Sequence, residues 1–283
     1  MGKNSIWIVG ADGRVGRELL KRFKYNTDLK VVATDKEVDI SSMEEVDRQF
    51  DMLKPDIVIN CAGITNADYC EENLIEAYRV NALGARNLAA ATRRGNARII
   101  QLSTDDVFDG NHGGRLTEFD TPNPKSVYGK SKLAGESFVR ELNPKHLIIR
   151  SSWVYGIGDG DYYSYVVGKG QAGEKFEAPL DRISSPTSAE ALSEVIESLI
   201  DYKEYGIFHV SCEGACSRFE FARTILEENG LDTTLVTGKV TSSDGEQSST
   251  LLENLMLKMI CVKEEYPMTH WREDLKKYVE ENK

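Results

Sequence analysis

The sequence predicts an α/β fold, a doubly wound parallel sheet followed by a smaller α/β lobe toward the C-terminus. Three observations predict it. A short apolar run of β-formers, Ser5-Ile6-Trp7-Ile8-Val9, leads into a glycine-rich turn and then an apolar helical period at Leu19, Leu20 and Phe23. Short apolar strands alternate with helical segments along the rest of the chain, and parallel strands need such crossovers. The 283 residues suffice for one large domain and a smaller lobe.

Gly10-Ala11-Asp12-Gly13-Arg14-Val15-Gly16 forms the turn between the first strand and the first helix. Strand, glycine turn and helix in that order make a Rossmann-type phosphate cradle. The glycines let backbone approach a pyrophosphate, and the first N–H groups of the helix face it. Gly10, Asp12, Gly13, Arg14, Val15 and Gly16 are therefore candidate cofactor-binding residues, although the spacing is G-x-x-G-x-x-G and not the usual G-x-G-x-x-G. A second strand, Val31 to Thr34, ends at Asp35, where a carboxylate can hold the adenosine ribose hydroxyls. Asp35 favours NADH, its neighbour Lys36 can accept a 2′-phosphate, and NADH and NADPH both stay open. Asp39-Ile40 is a candidate adenine-side contact, with Asp39 equally able to cap a helix starting near Ser42.

Asp56 to Cys61 reads as a strand running into Ala62-Gly63, so Cys61, Ala62 and Gly63 join the cofactor set. A helix is expected from Glu72 to Thr92, with Ala77, Val80, Leu83, Ala85 and Leu88 on its apolar positions and Asn81 as a polar support for the site. Arg98 to Leu102 is the next strand, ending in Ser103-Thr104-Asp105-Asp106. Ligands of open α/β sheets sit at such carboxyl ends. Leu147 onward forms another strand, with Trp153 at its exit as a platform for a sugar ring or as core. The Gly/Tyr/Asp-rich stretch Gly156 to Asp181 reads as a loop or lid. A helix over Ser188 to Tyr202, a strand over Ile207 to Val210, a helix over Phe219 to Asn229, a polar loop over Gly238 to Gln247 and a charged helix over Trp271 to Asn282 complete the pattern. The expected organisation is a dinucleotide-binding domain at 1–155, completed by 186–212, and a substrate lobe at 156–185 and 213–283.

Composition narrows the function. A formal net charge of -11 argues against nucleic acid or an anionic membrane as partner. Neither a run of about 18 apolar residues nor a signal peptide is visible. The five cysteines are scattered without a disulfide framework, and the one close pair, Cys212 and Cys216, lacks accompanying histidines. A reducing cytoplasm, no metal, and a monomer or homodimer are the expectations.

Tyr128 and Lys132 carry the chemistry. Four residues apart on a helix, they lie one turn from each other. An ammonium there is expected to lower the tyrosine pKa from about 10, letting the phenol pass a proton to a carbonyl oxygen as hydride reaches the carbon.

Together, Gly10-x-x-Gly13-x-x-Gly16, Asn60-Cys61-Ala62-Gly63, Thr104, Tyr128 and Lys132 resemble the extended short-chain dehydrogenase/reductase superfamily. Ser103 to Gly110, Tyr128 to Glu136 and Arg150 to Gly156 are similar, more narrowly, to the dTDP-4-dehydrorhamnose reductase family, over essentially the whole chain. Pro186-Thr187 also matches that family's lead into the next helix. The resemblance implies NAD(P)H-dependent reduction of a 4-keto group on a dTDP-linked 6-deoxyhexose. It implies Tyr128 as general acid, Lys132 as its tuner and holder of the nicotinamide ribose, and Thr104 as donor to the substrate carbonyl. Thr104, Asp105, Asp106 and Trp153 would bind the sugar.

Two departures bear on the substrate. Asp106 stands where the family usually has tyrosine, and Glu246-Gln247 stands where it has Arg-Pro. A carboxylate in place of a guanidinium should weaken diphosphate binding. Three readings follow: the nucleotide-sugar reductase, a related oxidoreductase acting on a carbonyl compound without a nucleotide, and a cofactor-binding regulatory protein like the regulatory subunit of methionine adenosyltransferase.

Overall fold

The computed structural model describes residues 4–158, 160–242, 248–261 and 266–282, apart from the side chain of His112. The chain opens with β1 (Asn4–Val9), α1 (Arg14–Phe23), β2 (Leu29–Thr34), α2 (Met43–Leu53) and β3 (Ile57–Asn60). A broken helical stretch follows: α3 (Ala67–Glu72), α4 (Leu74–Tyr78), one π-helical turn (Arg79–Gly84) and α5 (Ala85–Arg94). Next come β4 (Arg98–Thr104), a 3-10 turn (Asp105–Val107), β5 (Asn111–Leu116), α6 (Val127–Leu142), β6 (His146–Ser151) and β7 (Val154–Tyr155). Then α7 (Tyr162–Ala172), β8 (Phe176–Pro179), β9 (Arg182–Ser184), β10 (Thr187–Ser188) and α8 (Ala189–Leu199) precede β11 (Gly206–His209). The remainder holds β12 (Cys216–Ser217), α9 (Arg218–Glu228), β13 (Val236–Lys239), β14 (Ser248–Leu252), α10 (Leu255–Ile260) and α11 (Trp271–Glu281).

These elements group into two compact units. The first takes the chain up to Phe108, Thr121–Arg150 and Ile196–Phe208; the second takes Asp109–Asp120, Ser151–Val195 and the chain from His209 onward. The boundaries differ from those read in the sequence at 109–120, 151–155, 186–195 and 209–212. The first difference has a direct cause, because β5 pairs in parallel with β14.

In the first unit six strands lie in the order β11-β6-β4-β3-β1-β2. β1 runs parallel to both β2 and β3, and β3 parallel to β4. Chain order reverses at β1, so the crevice beside its carboxyl end is where such sheets take ligands. Helices cover a parallel sheet on both faces, and β3 is accordingly buried along its whole length. Trp7, Val9, Val58, Ile99 and Ile148 from the strands pack with Val46, Phe50 and Leu88 from α2 and α5. Val15, Leu19 and Phe23 repeat every four residues on α1 and are buried. Ser42 caps α2, accepting from the Glu45 amide at 3.3 Å, so Asp39 is not the cap.

The helix expected to run unbroken from Glu72 to Thr92 is interrupted. Its π turn inserts one residue, which rotates the apolar stripe: Ala77, Ala85 and Leu88 are buried, while Leu83 is exposed.

In the second unit, β12-β9-β14-β5 form one sheet, and β10-β7 and β13-β8 are two-stranded pairs. Gly156 to Asp181, expected as loop, holds α7 and β8. Weak local periodicity concealed a helix held by tertiary packing. Asp161 caps it through the Ser164 amide at 2.8 Å, Tyr162 and Tyr163 stack on Phe221 and Tyr155, and Tyr165 meets Phe176 edge-on. The loop expected from Gly238 begins inside β13, and 243–247 lie outside the described residues. Among the described residues no helix is long and apolar enough to cross a membrane.

Candidate active site

The first unit builds a cradle at the carboxyl end of β1. Gly10 adopts φ 76, a left-handed conformation, and its amide donates to the Thr34 carbonyl at 2.9 Å. A Cβ on Gly10 would stand 2.4 Å from the Ala62 amide nitrogen, so no larger residue fits. One on Gly16 would stand 2.5 Å from the Gly10 carbonyl oxygen. Gly13 is the N-cap residue of α1; no side chain caps this end, and no acidic residue lies in the first turn. Its N–H groups and positive dipole end therefore suit a diphosphate, and the residues fit a dinucleotide. Asp12 and Gly13 are exposed, Arg14 is half-buried and Val15 is buried beside them.

Around this cradle, Asp35 follows β2 half-buried and Lys36 is exposed. Asp39 accepts from the Ser41 amide and hydroxyl at 2.9 and 2.6 Å and from Arg79 at 3.0 Å. Its hydrogen bond with the Ser41 side chain holds its carboxyl below the usual range. Ile40 is buried in the core against Gly84. The Cys61 amide donates to the Val9 carbonyl at 2.8 Å, which fixes Cys61-Ala62-Gly63 along the cradle.

A second cluster sits at the carboxyl end of β4. Thr104 is its last residue, with its hydroxyl accepting from the Asp106 amide at 3.2 Å, 3.3 Å from the Asp105 carboxylate and hydrogen-bonded to Tyr128. The 3-10 turn that follows presses on α6: a Cβ on Gly129 would lie 2.1 Å from the Asp106 carbonyl oxygen. Asp105 is buried there and Asp106 exposed. Ser126 caps α6 through the Gly129 amide at 3.0 Å, and this places Tyr128 in its first turn and Lys132 one turn later.

Lys132 donates to the Leu102 carbonyl at 2.7 Å. Burial brings its pKa down to about 8, against the opposing charge of Glu136 and, to a smaller extent, Cys61. Tyr128 goes the other way from expectation. Burial, then the negative charge of Asp106, push its pKa above the ordinary tyrosine value, against the Thr104 hydrogen bond. Desolvation outweighs the lysine because the Lys132 ammonium is directed to a carbonyl of β4.

Asn81, on the π turn, exchanges hydrogen bonds with the backbone of Ile64, donating at 3.0 Å and accepting at 2.8 Å. It also donates to Ser131 at 2.9 Å. A Cβ on Gly63 would sit 2.9 Å from the Asn81 amide oxygen and 3.7 Å from the Lys132 ammonium. Cradle and cluster thus meet at Gly63. Sequence reasoning placed Ser103 at the ligand-binding end of β4 but missed Ser131, Glu136 and Arg150 in this neighbourhood; Glu136, four residues past Lys132, was the one with a readable spacing.

Trp153 belongs to the second unit. It takes φ 42, unusual for a bulky side chain, and its ring lies 3.6 Å beneath the Arg218 guanidinium, which also covers Tyr162 at 4.6 Å. Glu246-Gln247 lie outside the described residues.

Comparison with known proteins is concordant along the whole chain. The RmlD substrate binding domain model matches residues 4–283. The spore coat polysaccharide biosynthesis protein SpsK of Bacillus subtilis is 33% identical over 98% of this chain and 97% of its own. A crystal structure of a dTDP-4-dehydrorhamnose reductase from Clostridium acetobutylicum is similar with a TM-score of 0.91 and 38% identity, covering 98% of this chain and 99% of that one. A dTDP-4-dehydrorhamnose reductase from Bacillus anthracis, solved in complex with NADP, has a TM-score of 0.92 and 33% identity over 99% of both chains.

Proposed function

Because the chain belongs to the family described by the RmlD substrate binding domain, with dTDP-4-dehydrorhamnose reductases among its relatives, we propose that it reduces the 4-keto group of dTDP-4-dehydrorhamnose. NADPH or NADH is the reductant. The observation that carries this reading is the meeting of Thr104 and Tyr128 at the end of β4, with Lys132 one helical turn behind. A reduced nicotinamide, held by Gly10 to Gly16 and by Cys61 to Gly63, supplies hydride when bound.

The chain's own residues handle the oxygen. Tyr128 gives its phenolic proton to the carbonyl oxygen as negative charge develops there. The Thr104 hydroxyl donates a hydrogen bond to the same oxygen, so two donors meet one developing charge. Being held above its ordinary pKa, Tyr128 is fully protonated at neutral pH and ready to donate. Lys132, a cation below about pH 8, stabilises the phenolate left behind and would hold the nicotinamide ribose. Asp35 and Lys36 contact the adenosine end, with Asp39 and Ile40 shaping its floor. Asp105, Asp106 and Trp153 contact the sugar, and the unit that contains Trp153 is the substrate lobe. On this reading the protein works in the cytoplasm as a monomer or homodimer, in keeping with cysteines scattered without a disulfide framework.

The exposed carboxylate of Asp106 beside Tyr128 favours a second reading, in which the carbonyl substrate carries no nucleotide. Oxidation of NADPH and NADH by the purified protein, with dTDP-4-dehydrorhamnose and with Tyr128→Phe as control, decides between them. Turnover lost in the variant supports the first. Cofactor binding without turnover, and no thermal protection by dTDP, supports the second.

A further inference from the structure

Behind the Tyr128/Lys132 face lies a buried polar group that the reaction described above leaves unused. Glu136 follows Lys132 by four residues on α6 and is 1% exposed. One of its oxygens accepts from the Ser103 hydroxyl at 2.5 Å and from Arg150 Nε at 2.9 Å, and the other from Arg150 Nη2 at 2.7 Å. Arg150, on β6, is also 1% exposed and lies 5.2 Å over the Phe108 ring. A carboxylate taken this far out of water is retained only when its hydrogen bonds are complete, and here three donors complete them.

The location of those donors gives the group its meaning. Ser103 immediately precedes Thr104 at the end of β4, and Leu102, one residue earlier, accepts the Lys132 ammonium. Helix α6 and the end of β4 are therefore joined twice, at Lys132–Leu102 and at Glu136–Ser103, through the two residues just before Thr104. The 3-10 turn after Thr104 is pressed on Gly129 at the start of the same helix. Thr104 therefore lies between fastened residues on the strand side, and Tyr128 lies next to Gly129 on the helix side.

We propose, on the reductase reading above, that Glu136 is a positioning residue, fastening Ser103 and Arg150 to α6 so that the Thr104 hydroxyl and the Tyr128 phenol converge on one oxygen. Its charge acts as well. Lys132 is faced by Glu136 from its own helix and by Cys61 from the end of β3, with Arg150 on the far side of Glu136. Tyr128 is faced by Asp105 and Asp106 from the turn and by Cys70 from α3. Of these groups Glu136 does most to keep Lys132 cationic.

Three variants test the assignment. Ser103→Ala leaves the Glu136–Arg150 pair intact and should fold normally. Its kcat on dTDP-4-dehydrorhamnose should fall about 10- to 100-fold, since small misplacements of reacting groups cost that much. KM and NADPH affinity should stay within about twofold, a conventional margin for residues outside the binding contacts. Glu136→Gln should lower the pH at which the Lys132 ammonium titrates, followed by 15N NMR with Lys132→Met identifying the signal. The alkaline limb of kcat should move with it, and Glu136→Asp should restore part of both. Ser103→Ala with wild-type kcat, or a Lys132 titration unmoved in Glu136→Gln, would overturn the proposal. If the wild-type protein reduces no keto sugar, the reductase reading fails, while the Lys132 titration still decides whether Glu136 acts on that helix face.

Discussion

Lys132→Met should make the protein more stable at neutral pH while abolishing its reductase activity. Burial brings the Lys132 pKa from the ordinary 10.5 to about 8, so holding the ammonium charged in the folded state costs about 3 kcal/mol relative to the neutral amine. Methionine fills similar volume without a charge. The hydrogen bond to the Leu102 carbonyl is lost, which returns about 1 kcal/mol. The net gain at pH 7 is about 2 kcal/mol. With about 2.1 cal/mol/K of unfolding entropy per residue, 283 residues convert that gain into roughly 3 °C in Tm.

The pH dependence fixes the cause. Below about pH 8 Lys132 is protonated both folded and unfolded, and the full cost is present. Between about 8 and 10.5 only the unfolded chain binds the proton, so wild-type stability rises with pH relative to the variant. Thermal and urea unfolding of both proteins from pH 7 to 10.5 would follow the difference. A variant less stable than wild type at pH 7, with a gap that ignores pH, would refute the reasoning.

Further outcomes follow from the same geometry. Gly10→Ala should abolish NADPH binding, read by nucleotide fluorescence, because its Cβ would meet the Ala62 amide nitrogen at 2.4 Å from a φ of 76. Gly135→Ala should cost about 1–3 kcal/mol in urea unfolding, since its Cβ would lie 2.4 Å from the Asn81 carbonyl oxygen; a neutral result would mean the π turn yields easily. Tyr128→Phe should retain cofactor affinity and lose nearly all turnover. With Tyr128 protonated well past neutrality, wild-type kcat/KM should hold level up to about pH 8 and fall as Lys132 loses its charge; a level profile to pH 10 would remove Lys132 from the chemistry.

The cradle was legible because it is local. Strand, glycines and helix lie within Asn4 to Phe23, and both Gly10 and Gly16 are compelled by backbone approaches a Cβ would block. Tyr128 and Lys132 were legible from helical spacing, whereas the sign of the tyrosine's pKa shift was not. Spacing reports the distance to a cation but says nothing of burial, and burial wins here. Glu136 escaped for a related reason: its partners Ser103 and Arg150 come from different strands. Strand β5 escaped altogether. Asn-His-Gly-Gly-Arg-Leu has little intrinsic β preference and becomes a strand only by pairing with β14. Helix α7 was hidden because packing of its tyrosines, and not its apolar period, holds it.

The pairing of β5 with β14 also orders events in time. Arg115 and Leu252, joined by a hydrogen bond in that pair, are 137 residues apart. At about 5–20 residues per second, β5 leaves the ribosome roughly 7 to 27 seconds before its partner exists. The six-stranded sheet of the first unit is complete once β11 emerges, and its β1, β2 and β3 need no later sequence. The nascent chain therefore acquires a folded nucleotide cradle while the β5 segment waits in an open loop. The second unit assembles last, as a slow, high-contact-order step, and truncations before Leu252 should leave the first unit folded alone.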